Sequence, residues 1–238
     1  MEEKKQIRKQ KAILIFSIST IYFFILLFTV LPYLRSQFDL NPELYWFITG
    51  YFLFIPLLAF FLFSVKKESN TTLSEMVKSL NIKPMNKNDW IYAIITTLLV
   101  FIFTGLVFGV SIMLHKQFGI QQLNTVPWFM EMHPFQGKEK LLLLVWLPMF
   151  VFNILGEELL WRGYIQTRLE GKFAWIICSL LWLAFHLPFG IDLMIMLLPI
   201  VILLPYAYHK TKNTLVGVFI HGVYNGPMFV LVALGIIK

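Results

Sequence analysis

Cysteine is almost missing from this 238-residue chain: Cys178 stands alone, inside an apolar run. A single thiol excludes a disulfide framework and argues against a zinc site built on cysteine. Charge is scarce as well, at 14% of residues, where soluble domains carry about a quarter. The chain also lacks the ten-residue alternation of a membrane β-barrel, any internal repeat, and the zinc-binding pattern His-Glu-x-x-His.

Apolar residues fill the space that charge leaves, at 58% of the chain with a mean hydropathy of +0.72. They come in runs long enough to cross a hydrocarbon core about 30 Å thick, which takes roughly 20 helical residues. Lipid offers no partner for a spanning backbone, so such runs must be helices. The pattern predicts an all-α polytopic transmembrane bundle of about seven spans, near 12–34, 44–65, 90–114, 140–165, 173–189, 191–208 and 213–236. The fourth is expected to run on towards Leu169. Thr72 with Glu75 makes a capping box, and Leu73, Met76, Val77 and Leu80 share one face, which predicts an interfacial amphipathic helix. Pro148, Pro188, Pro199, Pro205 and Pro227 fall in or beside the later spans, where kinks open cavities. Residues 1–238 read as one membrane domain, with 140–230 as its catalytic core.

The net charge of +7 is no nucleic-acid footprint, because Lys and Arg sit in the gaps between apolar runs. With the N-terminus in the cytoplasm, cytoplasmic segments hold 15 of these residues and the other side holds five: Arg35, Lys116, Lys138, Lys140 and Lys238. That bias sets the orientation. The basic N-terminus before an apolar run is like a signal peptide, but the run from about Ala12 to Leu34 has no small-residue cleavage site, which favours an uncleaved first span.

Against this background a few polar residues stand out. A carboxylate at a helix centre costs about 2.5–3.5 kcal/mol on insertion scales, yet Glu157 and Glu158 lie in Asn153-Ile-Leu-Gly-Glu-Glu-Leu-Leu-Trp-Arg162. Glu158 and Arg162 are spaced for a helical ion pair. Glu157 points about 100° away and is left available as a general base. His186 sits in the fifth span, and His221 and Asn225 lie one turn apart in the seventh. Each alone reads as a hydrogen-bonded structural residue. Counted from the nearest cytoplasmic ends, however, all four fall roughly 14–21 Å deep, and a shared depth favours one shared site.

These segments resemble the CAAX protease and bacteriocin-processing family of intramembrane proteases. Its Glu-Glu-x-x-x-Arg pattern is matched by Glu157-Glu158-Leu-Leu-Trp-Arg162, and its His-x-x-x-Asn by His221-Gly-Val-Tyr-Asn225. Its Phe-x-x-x-His is matched at His186, with Trp182 in place of Phe. The resemblance implies peptide-bond hydrolysis in a bacterial cell membrane, with Glu157 and His186 activating water, His221 and Asn225 stabilising the oxyanion, and Glu158 with Arg162 as a structural ion pair. Its implied partners are membrane lipid and a membrane-associated, lipidated or unlipidated, peptide or protein, with no nucleic acid. Glu157, His186 and His221 are also candidate ligands for zinc, and the sequence leaves metal-dependent and metal-free mechanisms open. The competing class is a non-proteolytic membrane protein, a bacteriocin-immunity factor or small transporter. An inactive relative is expected to lose at least one of Glu157, His186, His221 and Asn225, and none is lost.

Overall fold

Long apolar runs become long helices because each backbone group then finds its partner within the segment. The computed structural model describes residues 6–68 and 72–236. Lys4, Lys5 and Lys238 of the orientation argument lie outside the described residues, as does the side chain of Leu73. Six helices are long and apolar enough to span a membrane: α1 (Lys9–Gln37), α2 (Pro42–Lys67), α4 (Lys87–Phe118), α5 (Gly137–Gln166), α7 (Ile191–Thr211) and α8 (Thr214–Ala233). A shorter apolar helix, α6 (Ala174–Phe189), completes the seven segments, and the short α3 (Leu73–Ser79) lies between α2 and α4. No strand occurs among the described residues beyond one isolated bridge, Ile7 with Leu169.

Caps mark the ends where the chain leaves the apolar layer. Thr72 and Glu75 form the expected capping box, Asn86 and Asp89 form another, and the Asn213 side chain accepts from Leu215 N to open α8. Gly119 ends α4 at φ +68°, a left-handed conformation in which a Cβ would be strained.

In the bundle α2 packs on α5, α7 lies against α4, α6 and α8, and α1 covers α6. Large apolar side chains on α4, among them Ile94, Leu98, Ile102 and Leu106, point outwards. A face of that kind belongs against lipid, and the chain is an integral membrane protein.

The two ends are tied differently. At the N-terminal end α3 leads into the bundle: Leu80 is buried, Asn81 Nδ2 donates to the Tyr208 hydroxyl (2.8 Å), and Thr214 N donates to Asn81 O (3.1 Å). The amphipathic segment is therefore pinned at its C-terminal residues. At the opposite end the connection 119–136 is strapped down. Asn124 donates twice to Asp192, Trp128 Nε1 donates to Pro188 O (2.9 Å), and Phe135 N donates to Ala233 O (2.8 Å).

Candidate active site

Three helices bring the site together. The end of α5 supplies Glu157, Glu158 and Arg162. From Glu158 to Gln166 the chain winds as a π-helix, a wide turn that recurs at functional sites. Gly156 lets this segment approach α2: a Cβ there would come within 3.1 Å of Phe54 O. The last turn of α6 supplies Trp182 and His186, and α8 supplies His221 and Asn225.

Trp182 lies at the centre. Its indole Nε1 donates to Glu157 Oε2 at 2.7 Å, and its backbone carbonyl meets His186 Nδ1 at 2.8 Å. Its ring lies 5.5 Å from the His186 ring and 5.4 Å from the His221 ring, centroid to centroid, with the Arg162 guanidinium 4.1 Å above it. A cation so placed over an indole is attracted by the ring quadrupole.

Glu158 faces the other way. Its Oε1 meets His221 Nδ1 at 3.0 Å, and its Oε2 lies 3.4 Å from Arg162 Nε. Glu158 and Arg162 are wholly buried, and their pairing meets the requirement that an enclosed charge have a partner. The Arg162 nitrogens form no hydrogen bond among the described residues, so Coulomb attraction and the Trp182 face hold this cation. Gly217, one turn before His221, makes room for the carboxylate: a Cβ there would collide with Glu158 Oε2.

These partners fix protons. A carbonyl oxygen only accepts, so His186 must carry a proton on Nδ1, and its neutral form keeps a lone pair on Nε2. His221 Nδ1–H donates to the Glu158 carboxylate and likewise leaves Nε2 for another partner. Glu157 Oε1, His186 Nε2 and His221 Nε2 have no hydrogen-bond partner among the described residues, and all three side chains are buried. The cluster thus has an enclosed support, Glu158 with Arg162, and three polar atoms left without a hydrogen-bond partner among the described residues.

Of the residues singled out from the sequence, Glu157, Glu158, Arg162, His186 and His221 come together around Trp182. Asn225 is half-buried one helical turn beyond His221 and forms no hydrogen bond to them. Sequence reasoning missed Trp182 as a donor and Gly217 as a spacer. The available signal was the four-residue step that puts Trp182 on the face of His186 and Gly217 on the face of His221. A zinc site needs its ligands to converge about 2.0–2.2 Å from one point. Among the described residues no three His, Cys, Asp or Glu side chains are so gathered. The side chains as placed do not fit that ion.

Residues 139–226 match the family model of type II CAAX prenyl endopeptidase, Rce1-like. No curated protein and no solved structure matches the chain. The matched stretch contains Glu157, Glu158, Arg162, Trp182, His186, His221 and Asn225, and its family is one of proteases. Over residues 139–226, then, the chain is similar to the type II CAAX prenyl endopeptidases, which supports the resemblance to the CAAX protease and bacteriocin-processing family.

Proposed function

We propose that this chain is an intramembrane endopeptidase of a bacterial cell membrane that hydrolyses a peptide bond near the end of a membrane-associated, lipid-modified protein or peptide. The observation that carries this reading is the gathering of Glu157, His186 and His221 around Trp182, beside an enclosed ion pair. Amide hydrolysis needs a base for water, donors for the oxyanion and a proton for the departing amine. Glu157 takes a proton from water through Oε1, and the neutral His186 accepts a hydrogen bond at Nε2 from the hydrogen that the hydroxide keeps. The hydroxide attacks the scissile carbonyl carbon. His221, its ring held by Glu158, and the Asn225 amide stand beside the oxyanion as its hydrogen-bond donors. Glu157 then passes its proton to the leaving nitrogen as the C–N bond breaks.

The test is cleavage of fluorogenic peptides by the purified chain in lipid vesicles. One peptide ends in a farnesylated Cys followed by three residues, and the other is its unprenylated twin. Cleavage confined to the first, and lost in Glu157→Gln, is expected. Failure to cut either peptide, or equal activity in Glu157→Gln, overturns the reading. Stoichiometric zinc that tracked activity would recast Glu157, His186 and His221 as ligands and leave the protease assignment standing.

The charge bias supports a cytoplasmic N-terminus. A Glu170→Cys chain in a Cys178→Ser background is expected to react with an impermeant thiol reagent only in inside-out vesicles. Labelling of right-side-out vesicles inverts the orientation.

A further inference from the structure

Glu157 is a carboxylate on a flexible stem, with no cation of its own on α5 because Arg162 faces Glu158. A base that wanders among rotamers loses most of the advantage of proximity. Something must therefore hold it, and among the described residues a single hydrogen bond does so, the one from Trp182 Nε1 to Oε2 at 2.7 Å.

The donor is itself held on three sides. Trp182 is 1% exposed, so its ring cannot swing. The Arg162 guanidinium covers one face at 4.1 Å, and the ring packs edge-on to both imidazoles. Its backbone carbonyl orients His186. One residue thus fixes the carboxylate through its side chain and the neighbouring imidazole through its main chain. Nε1 takes only Oε2, so the hydrogen bond also decides which carboxylate oxygen is left for water.

We infer that Trp182 is the positioning residue of this site, its indole N–H locking Glu157 in the rotamer that presents Oε1 to the reacting water. The inference rests on the protease reading above and deepens it. A phenyl ring at this position, which the family usually carries, keeps the aromatic face under Arg162 but has no donor. This chain therefore holds its carboxylate by a contact that such a ring cannot make.

Two substitutions separate the donor from the shape. Trp182→Phe removes the N–H and some volume, whereas Trp182→3-benzothienylalanine removes only the N–H, since sulfur replaces the ring nitrogen. Outer partners that orient reactive groups typically cost about 10–100-fold in activity when removed. Both variants are expected to lower kcat on the farnesylated peptide by about that factor with KM unchanged, and the benzothienylalanine chain is expected to keep its thermal midpoint in micelles. A loss in Trp182→Phe alone assigns the effect to shape and overturns the inference, as does an unchanged kcat in both.

A spectrum tests the contact without turnover. In a nitrogen-15 correlation spectrum of the indole N–H groups, the peak that disappears in Trp182→Phe belongs to Trp182. It is expected to move to higher field in Glu157→Ala, and a peak that stays in place overturns the inference. A wild-type chain that cleaves no peptide brings down the protease reading and the positioning role together. An active enzyme indifferent to benzothienylalanine brings down the positioning role alone.

Discussion

Glu43 and Glu158 are both buried carboxylates that meet the Nδ1 of a histidine, at 2.8 Å from His133 and 3.0 Å from His221. By distance the two pairs are nearly the same object, and their surroundings separate them. His133 lies in the connection 119–136 with 43% of its side chain exposed, and its second nitrogen faces Glu139 at 3.6 Å. Both ring nitrogens are engaged, and the imidazole ties α2 to the start of α5. His221 is buried on α8 and gives one nitrogen to Glu158, while the other has no hydrogen-bond partner among the described residues. The difference teaches that polar residues in a membrane bundle are told apart by what they leave unsatisfied. In the first pair both imidazole nitrogens face a carboxylate, whereas under the proposed function the second nitrogen of His221 faces a substrate.

The largest effect is expected where the comparison is broken at the base. Glu157→Gln keeps shape and hydrogen bonding but cannot accept a proton, so turnover should fall by about 10²–10⁴ with insertion and yield unchanged. Glu43→Gln should leave turnover at the wild-type level. Equal losses in both variants, measured on the farnesylated peptide, would erase the distinction between the two ends.

Next comes the enclosed support. Arg162→Ala leaves Glu158 buried with only His221, and Glu158→Ala leaves the Arg162 guanidinium with only the Trp182 face. Breaking a buried pair typically costs about 3–5 kcal/mol, so each variant should lose yield and thermal stability together. The double variant should be less damaged than the sum of the singles, because coupled residues do not add. Additive losses in a thermal-unfolding cycle would mean that Glu158 and Arg162 act separately.

A smaller loss should follow at Asn225, which is half-buried and whose side chain has no hydrogen bond among the described residues. Asn225→Ala should reduce turnover by about 10²–10³, the usual cost of an oxyanion donor, with KM and stability retained. An equal fall in stability would give Asn225 a packing role instead.

Much of this arrangement was legible in the sequence, for identifiable reasons. The bilayer fixes how long an apolar run must be, so the spans read near 44–65, 90–114 and 191–208 appear as Pro42–Lys67, Lys87–Phe118 and Ile191–Thr211. The capping box at Thr72 was equally visible, because it depends on residues three apart. What escaped depends on contacts between helices and on departures from regular winding. The spacing predicts Glu158 paired with Arg162, and the fold adds His221 from α8, 63 residues away. The prediction that Glu157 and Glu158 diverge by one regular helical step assumes an unbroken α-helix, whereas the π-helix begins at Glu158. Trp182 reads as packing in an apolar span, since nothing in its own helix shows that its N–H meets a carboxylate on α5.

The smallest effect should appear at His133. Removing this imidazole deprives Glu43 of its partner, yet Glu43 is not stranded as Glu158 would be. It lies in the first turn of α2, where the positive end of the helix dipole stabilises a carboxylate. Glu139 keeps its hydrogen bonds from Asn41 Nδ2 and Gln136 N. The half-exposed imidazole is also open to water and counter-ions, and such pairs typically contribute about 0–1 kcal/mol. His133→Ala should therefore lower the thermal midpoint only slightly, by less in high salt than in low salt because screening already weakens the pair. Turnover should be unchanged, since neither His133 nitrogen is left to meet a substrate. His221→Ala, measured beside it, should lose turnover whatever the salt. If His133→Ala proved as damaging as Arg162→Ala, exposure would not be what separates the two Glu–His pairs, and the 119–136 connection would be holding the catalytic helices in place.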